Sequence, residues 1–348
     1  MKYIRLLIIT ATSIVAFLFA FQSADTAKQV KSTAVESKIK GVSFEAPPRV
    51  VEKEALMPIK KVNANWVAIT PYAFSRPGDP AVNFNYRRQW WGEREQGVVA
   101  TIQHAKALGL NVMLKPHVWV RGDGWAGDFE FSNEDDWQQW EANYREYIIT
   151  YAKVADSLNV EMLCIGTEFR KAAVQRPEFW GSLANKIRTF YDGKITYAAN
   201  WDNYRNITFW DAMDYIGVDA YFPIASEQTP GVDRLIMQWG TQKESLRNFQ
   251  NQYAIPILFT EFGYESIDFA ADGHWKRERN STPVNLQAQA NAYQGLFQAL
   301  WDEPWFAGGF VWKWHARHGQ SGGPDNKRFT PQNKPAEETI RKWYGRDK

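Results

Sequence analysis

Residues 160–169 read Val-Glu-Met-Leu-Cys-Ile-Gly-Thr-Glu-Phe, a short apolar run that ends in a small residue, a hydroxyl and a carboxylate. An apolar run of this length, with little alternation, predicts a strand that is buried on both faces. Residues 255–264 read Ile-Pro-Ile-Leu-Phe-Thr-Glu-Phe-Gly-Tyr and contain the same Thr-Glu-Phe pattern. Glu168 and Glu261 are therefore predicted to lie where two buried strands leave the core.

Eight strands are predicted along the chain, and segments of helical length separate most of them. The predicted strands lie in residues 41–44, 65–70, 111–114, 160–169, 195–201, 214–223, 255–264 and 308–314. The predicted helices cover residues 97–108, 133–158, 179–191, 232–253, 286–301 and 337–344, and residues 72–95 are interpreted as a long irregular loop. This alternation favours parallel strands with right-handed crossovers, and eight units favour closure. The predicted fold class is α/β, a single (β/α)8 TIM barrel over residues 41–348.

The N-terminal part of the chain has the pattern of a targeting segment. Residues 1–24 begin with positive charge and continue with an apolar stretch, which is typical of a signal peptide or an uncleaved N-terminal anchor. Residues 25–40 are polar and are predicted to form a flexible linker. The barrel is accordingly expected outside the cytoplasm: periplasmic, secreted or anchored to the outside of the membrane. Contact with the membrane is expected only through the N-terminal segment, if it is not cleaved.

Composition narrows the possible partners. The formal net charge of +2 gives no electrostatic reason to expect nucleic acid. The chain contains 17 Trp and 15 Tyr, and such rings suit stacking against sugars, although many will simply pack helices on strands. Cys164 is the only cysteine, so no internal disulfide is possible. Its place inside a predicted strand favours a buried apolar filler over a nucleophile.

Candidate site residues follow from the strand exits, because the active site of such a barrel lies at the C-terminal ends of its strands. Two glutamates, Glu168 and Glu261, are the candidate catalytic pair. Glycoside hydrolysis needs two carboxyl groups, one to protonate the leaving oxygen and one to attack the anomeric carbon or activate water. The pKa values of the pair should be pushed apart, with Glu168 protonated while Glu261 is ionised. The candidate substrate-binding residues at the exits are Lys115, His117, Trp119, Asn200, Trp201, Asp219, Tyr221, Trp312 and Trp314.

Four motifs carry a family resemblance. They are Leu-Lys-Pro-His-Val at 114–118, Ile-Gly-Thr-Glu-Phe at 165–169, Thr-Glu-Phe-Gly-Tyr at 260–264 and Val-Trp-Lys-Trp at 311–314. With glutamates at the ends of the fourth and seventh predicted strands, the sequence resembles the clan of retaining (β/α)8 glycosidases. Within that clan, the motifs resemble glycoside hydrolase family 113, known for β-mannanases, over residues 41–344.

The resemblance implies roles for single residues. It implies that Glu168 is the acid/base and Glu261 the nucleophile, that Tyr221 is hydrogen-bonded to the nucleophile, and that Trp312 is a sugar platform. One position departs from the wider clan: Thr167 replaces the common Asn that contacts the sugar 2-hydroxyl. The choice between mannose and glucose is therefore left open.

The predicted function is a retaining glycoside hydrolase, an endo-β-1,4-mannanase that acts as a monomer on an oligo- or polysaccharide without a cofactor. The alternatives are hydrolysis of another β-glycan, such as glucan or xylan, and a non-catalytic carbohydrate-binding barrel. Residues 121–131 and the pair His315 and His318 contain possible metal ligands. Neither has the ligand pattern of a known metal loop, so no metal site is predicted.

Overall fold

The computed structural model describes residues 37–122 and 124–346 as a closed barrel of eight parallel strands with helices around it. The predicted signal or anchor segment, residues 1–24, and most of the predicted linker lie outside the described residues. The barrel strands are β1 (Ile39–Glu45), β2 (Trp66–Thr70), β4 (Asn111–Leu114), β6 (Met162–Thr167), β7 (Lys194–Asn200), β8 (Tyr215–Asp219), β9 (Ile257–Phe262) and β10 (Phe306–Trp314). Two shorter strands, β3 (Tyr72–Ser75) and β5 (His117–Val120), form a separate sheet. The predicted (β/α)8 TIM barrel is confirmed.

The helices are α1 (Met57–Lys61), α2 (Glu95–Ala107), α3 (Glu134–Ser157), α4 (Arg170–Gln175), α5 (Pro177–Ile187), α6 (Val232–Tyr253), α7 (Leu286–Leu300) and α8 (Pro335–Tyr344). Helix α3 begins where the Asn133 side chain accepts a hydrogen bond from the Asp136 N–H at 2.8 Å, which satisfies one free donor of the first turn. None of the helices within residues 37–122 and 124–346 is both long and apolar enough to cross a lipid bilayer.

Two apolar layers hold the barrel together. The larger one lies between the strands and the helices and includes the buried aromatic stripe of α3, for example Trp140 and Tyr144. The smaller one fills the barrel interior with residues such as Met113, Cys164 and Leu258. Burial raises the pKa of the Cys164 thiol to about 11, in keeping with the predicted filler role.

The small sheet of β3 and β5 extends the mouth of the barrel. Each of its strands follows a barrel strand after one proline, Pro71 after β2 and Pro116 after β4. Proline has no N–H to donate to the hydrogen bonds between strands, so the barrel pairing stops at each proline. Beyond it, the two segments pair with each other as β3 and β5. The prediction of an irregular loop over residues 72–95 is thus wrong for its first four residues. Strand β1 also begins at Ile39, inside the predicted linker.

Candidate active site

Glu168 lies immediately after β6, at the mouth of the barrel. Its backbone has a φ of 56°, in the left-handed region that non-glycine residues seldom adopt. Hydrogen bonds on both sides hold this turn: the Glu168 N–H donates to the Ala198 carbonyl at 2.8 Å, and the Arg170 N–H donates to the Glu168 carbonyl at 2.8 Å. The local strain is therefore compensated by the strand β7 and the start of α4, which fix the direction of the side chain.

The Glu168 carboxyl group is half-buried at the wall of a cleft and has one hydrogen-bond donor. Trp125 donates its indole Nε1–H to Glu168 Oε2 at 3.1 Å. Burial raises the pKa of Glu168 to about 8, and the nearby carboxylates of Asp219 and Glu261 act in the same direction. A carboxyl group with this pKa is protonated at neutral pH and can act as a general acid.

Glu261 lies on β9 and is held at both carboxylate oxygens. Lys115 Nζ donates to Oε1 at 2.5 Å, and the Tyr221 hydroxyl donates to Oε2 at 2.7 Å. His117 Nε2 is also 3.5 Å from Oε1. Burial and Asp219 raise the pKa of Glu261 to about 7, while Lys115 and Tyr221 lower it. Burial raises the pKa of both glutamates, and of the two only Glu261 has a cation in direct contact, which favours its ionised form.

Lys115 and Asp219 form a fully buried pair beneath the nucleophile. Lys115 Nζ is 3.0 Å from Asp219 Oδ1, which also accepts a hydrogen bond from Thr260 at 2.8 Å. Burial disfavours the ammonium, but the carboxylates of Asp219 and Glu261 outweigh burial and raise the pKa of Lys115. The expectation that Lys115 and Asp219 contact substrate is wrong, because neither side chain is exposed in the cleft. Lys115 instead contacts the Glu261 carboxylate, and Asp219 holds Lys115 in place.

Glu168 and Glu261 face an open cleft of about 680 Å³ at the C-terminal ends of the strands. Among the predicted site residues, six line this cleft together with Glu168 and Glu261: His117, Trp119, Asn200, Trp201, Tyr221 and Trp312. His117 stacks on Trp312 with ring centroids 5.8 Å apart. The structure therefore brings together most of the residues that were predicted from the strand exits.

Trp314 does not reach the cleft, which corrects the prediction of a substrate contact. Its side chain is fully buried and stacks on His318 with centroids 5.6 Å apart. The reason is an irregularity in the pairing of β1 and β10, where Val42 pairs with Val311 but Phe44 pairs with Trp314. One extra residue in β10 changes the alternation of side chains, so Trp312 and Trp314 point in different directions.

Two tryptophans of the cleft, Trp125 and Trp275, were not predicted from the sequence because they lie on loops at a distance from the strand exits. Trp275 stacks on Trp201 with centroids 5.4 Å apart and an interplanar angle of 13°. Trp125 lies in the glycine-rich segment 121–131, which the sequence offered only as a possible metal loop. The position of Trp125 among glycines was the one feature of the sequence that indicated an exposed ring. The other unpredicted lining side chains are Tyr72, Arg170, Asp202, His274 and Phe329.

Within residues 37–122 and 124–346, no group of three or more His, Cys, Asp or Glu side chains is placed to hold a metal ion. The two histidines considered from the sequence have other partners. His315 contacts the Glu45 carboxylate, and His318 Nδ1 is 3.1 Å from the Gln332 amide.

Comparison with known proteins gives a consistent assignment. The family model described as glycoside hydrolase family 113 matches residues 49–334. No curated protein matches the chain. Among solved structures, a family 113 β-1,4-mannanase in complex is 26% identical with a TM-score of 0.76, covering 89% of this chain and 99% of the other.

A second β-mannanase of the family, from Alicyclobacillus acidocaldarius with the ligand ManMIm, is 27% identical with a TM-score of 0.76, covering 89% of this chain and 98% of the other. The β-glucuronidase of Ruminococcus gnavus is 12% identical with a TM-score of 0.59, covering 90% of this chain and 52% of the other, and shares only the fold.

Proposed function

Because this chain belongs to glycoside hydrolase family 113, we propose that it hydrolyses β-1,4-mannan within the chain, by a double displacement that retains the anomeric configuration. Its membership of the family makes it a glycoside hydrolase. The observation that carries the mechanism is the different set of hydrogen-bond donors at the two glutamates. Glu168 has one donor and a pKa of about 8, whereas Glu261 has two donors, one of them a cation.

In the first step, Glu168 transfers its proton to the glycosidic oxygen while Glu261 attacks the anomeric carbon. The bond from the anomeric carbon to the leaving oxygen breaks, and the leaving sugar takes the proton. The Lys115 ammonium and the Tyr221 hydroxyl keep Glu261 ionised and oriented before attack. Glu168 becomes a carboxylate at the end of this step.

In the second step, the Glu168 carboxylate removes a proton from water, and the water oxygen attacks the anomeric carbon. The ester bond to Glu261 breaks and the carboxylate is restored. Glu168 is again protonated, so the cycle closes without another reactant. The developing charge on Glu261 as it leaves is stabilised by the same two donors that oriented it, Lys115 and Tyr221.

The proposal of mannan as substrate rests on the two β-mannanases to which the chain is similar. Thr167 lines the cleft beside Glu168, and its hydroxyl has no hydrogen-bond partner among the described residues. The Thr167 hydroxyl oxygen is itself buried, so it gives no direct contact that would select the sugar, and glucan and xylan stay the competing substrates.

The test is release of reducing ends from mannan, glucomannan, cellulose and xylan, with Glu261→Ala as the inactive control. We expect mannan and glucomannan to give the highest kcat/KM and oligosaccharides of mixed length as first products. Preferential hydrolysis of cellulose or xylan would overturn the proposal that mannan is the substrate. A product of inverted configuration, detected by NMR, would overturn the double displacement.

We also propose that the barrel is exported, on the basis of the targeting pattern of residues 1–24, and that it acts as a monomer. Cell fractionation of the full-length chain and of a form without these residues tests the export. Activity that remains in the cytoplasmic fraction of cells with the full-length chain would contradict it. Size-exclusion chromatography with light scattering tests the monomer.

A further inference from the structure

A second cavity of about 440 Å³ adjoins the catalytic cleft, and no role has so far been given to it. Tyr72 and Trp119 line both cavities, so the two are neighbours along one surface. The remaining wall of this second cavity includes Phe74, Tyr86, Arg88, Trp90, Arg121 and Lys313.

The small sheet of β3 and β5 makes a continuous wall from the nucleophile to this second cavity. Tyr72 pairs with His117, and Phe74 pairs with Trp119. Side chains two apart in a strand share a face. The rings of Tyr72 and Trp119 meet at 6.4 Å, and His117 at the inner end is 3.5 Å from Glu261 Oε1. A polymer that leaves the catalytic centre along this face reaches the second cavity next.

Two tryptophans that line the second cavity are unusually exposed. Trp119 is 59% exposed and Trp90 is 48% exposed, although both are large apolar rings. Single exposed apolar residues need no explanation, but two tryptophans on one concave surface are typical of a binding site. The flat face of an indole ring suits the apolar face of a pyranose.

The second cavity is lined by three cations, Arg88, Arg121 and Lys313, and by two carboxyl groups, Glu45 and Glu93, so positive groups are in excess there. Lys313 is neutralised by contact with Glu45, whose pKa falls to about 2 because its pairing with His315 and Lys313 outweighs burial. Among the described residues, neither Arg88 nor Arg121 forms an ion pair. Arg121 is held in place, with its guanidinium 5.0 Å from the centre of the Phe74 ring and its NH2 2.9 Å from the Tyr86 hydroxyl. A fixed guanidinium without a counter-ion suits a carboxylate ligand.

The barrel topology shows which part of a substrate reaches this cavity. In the closed order of strands, β7 lies opposite β1, and Glu168 follows β6, the neighbour of β7. Strand β6 lies between β7 and β4, but the turn at Glu168 is hydrogen-bonded to Ala198 of β7, so the leaving-group part, which takes its proton from Glu168, is assigned to the β7 side, beside Trp201. The second cavity lies above β1, β2 and β10, on the far side of the nucleophile, where the glycone part of the substrate must extend.

We propose that this second cavity is a distal glycone subsite that binds a β-glycan segment bearing a carboxylate, such as a uronic acid substituent. The proposal rests on the proposed function. Trp90 and Trp119 stack on the sugar rings of that segment, and Arg121, with Arg88, binds its carboxylate. The enzyme therefore prefers an acidic decorated mannan over a neutral one of the same length.

The experiment measures kcat/KM for three substrates: an aryl β-mannoside, a neutral manno-hexasaccharide, and the same hexasaccharide with one uronic acid substituent on its glycone half. The unaltered enzyme should prefer the acidic hexasaccharide. The double variant Arg88→Met/Arg121→Met should lower the ratio of acidic to neutral kcat/KM about tenfold or more. Arg247→Met, on α6 outside both cavities, is the matched control and should leave this ratio unchanged.

Trp90→Ala should lower the ratio of hexasaccharide to aryl mannoside kcat/KM about threefold to tenfold, through loss of stacking. Thermal unfolding of each variant checks that the barrel is intact. An unchanged ratio of acidic to neutral kcat/KM in the double variant would overturn the proposal that the two arginines bind a carboxylate. An unchanged ratio of hexasaccharide to aryl mannoside kcat/KM in Trp90→Ala would overturn the proposal of a distal subsite. Both results would leave the proposed function standing if the aryl mannoside is hydrolysed. Failure to hydrolyse any of the three mannosides would end the proposed function and this inference together.

Discussion

Replacement of Lys115 by Met tests how the nucleophile is kept ionised. Lys115 Nζ lies 2.5 Å from Glu261 Oε1 and 3.0 Å from Asp219 Oδ1, with no exposure to solvent. A hydrogen bond to a charged group contributes about 1.5–3 kcal/mol, and one pKa unit corresponds to about 1.4 kcal/mol. Loss of Lys115 should therefore raise the pKa of Glu261 by about one to two units.

The assay is the pH dependence of kcat/KM, whose acidic limb reports the ionisation of the free nucleophile. The pKa of Glu261 is about 7 in the intact site, because burial outweighs its two donors. In Lys115→Met the pKa of Glu261 should rise by about one to two units, to or above that of Glu168, so the maximum of the profile should move to higher pH and become lower. Activity at pH 6, relative to the unaltered enzyme at the same pH, should fall about tenfold to hundredfold by the same argument.

The variant also leaves the Asp219 carboxylate buried without its cation, which destabilises the fold by about 3–5 kcal/mol. The double variant Lys115→Met/Asp219→Asn removes that charge and should recover much of the stability. Its acidic limb should still lie above that of the intact enzyme, because Glu261 lacks the ammonium in both variants. Lys106→Met is the matched control, since Lys106 pairs with Glu161 away from the cleft. An acidic limb that stays in place while kcat falls would refute the reasoning, because a purely structural role of Lys115 lowers activity at every pH.

Three further predictions concern the cleft. The full pH profile of kcat/KM should be bell-shaped, because the nucleophile Glu261 is protonated below its pKa of about 7 and the acid Glu168 loses its proton above its pKa of about 8; a flat profile would contradict this. With an aryl β-mannoside, Glu168→Ala should accumulate the glycosyl-enzyme as a burst, and added azide should restore turnover and give the β-glycosyl azide. In Glu261→Ala, azide should give the α-glycosyl azide, and NMR distinguishes the two products. The reverse configurations would exchange the roles assigned to Glu168 and Glu261. Trp275→Ala should lower kcat/KM for oligosaccharides about threefold to tenfold, because stacking beside Trp201 is lost. The effect on an aryl mannoside should be smaller. An equal effect on both substrates would show that Trp275 does not contact the leaving-group part.

Local patterns in the sequence were sufficient to predict the barrel. Apolar runs of strand length alternate with segments of helical period, and both signals arise from neighbouring residues. The helix predicted over 232–253 has the same bounds in the structure, and the strand predicted over 111–114 does too. The two Thr-Glu-Phe sequences were recognisable for the same reason, since a carboxylate that interrupts an apolar run stands out at the strand exit.

Contacts between distant segments were decided only by the tertiary structure. Lys115 and Asp219 are 104 residues apart, and their buried pairing depends on the closure of the barrel. The direction of Trp314 depends on how β10 pairs with β1, because the irregularity lies in the pairing and not in either strand alone.

The loop residues follow the same division. Trp125 donates to Glu168 across 43 residues, and nothing in its own neighbours indicates that contact. The sequence by itself determined the eight barrel strands, six of the eight described helices, and the two carboxyl groups that stand at strand ends. Which side chains share a cleft, and which cation tunes the nucleophile, depended on the closed ring of strands, because only that ring brings the distant segments within hydrogen-bonding distance.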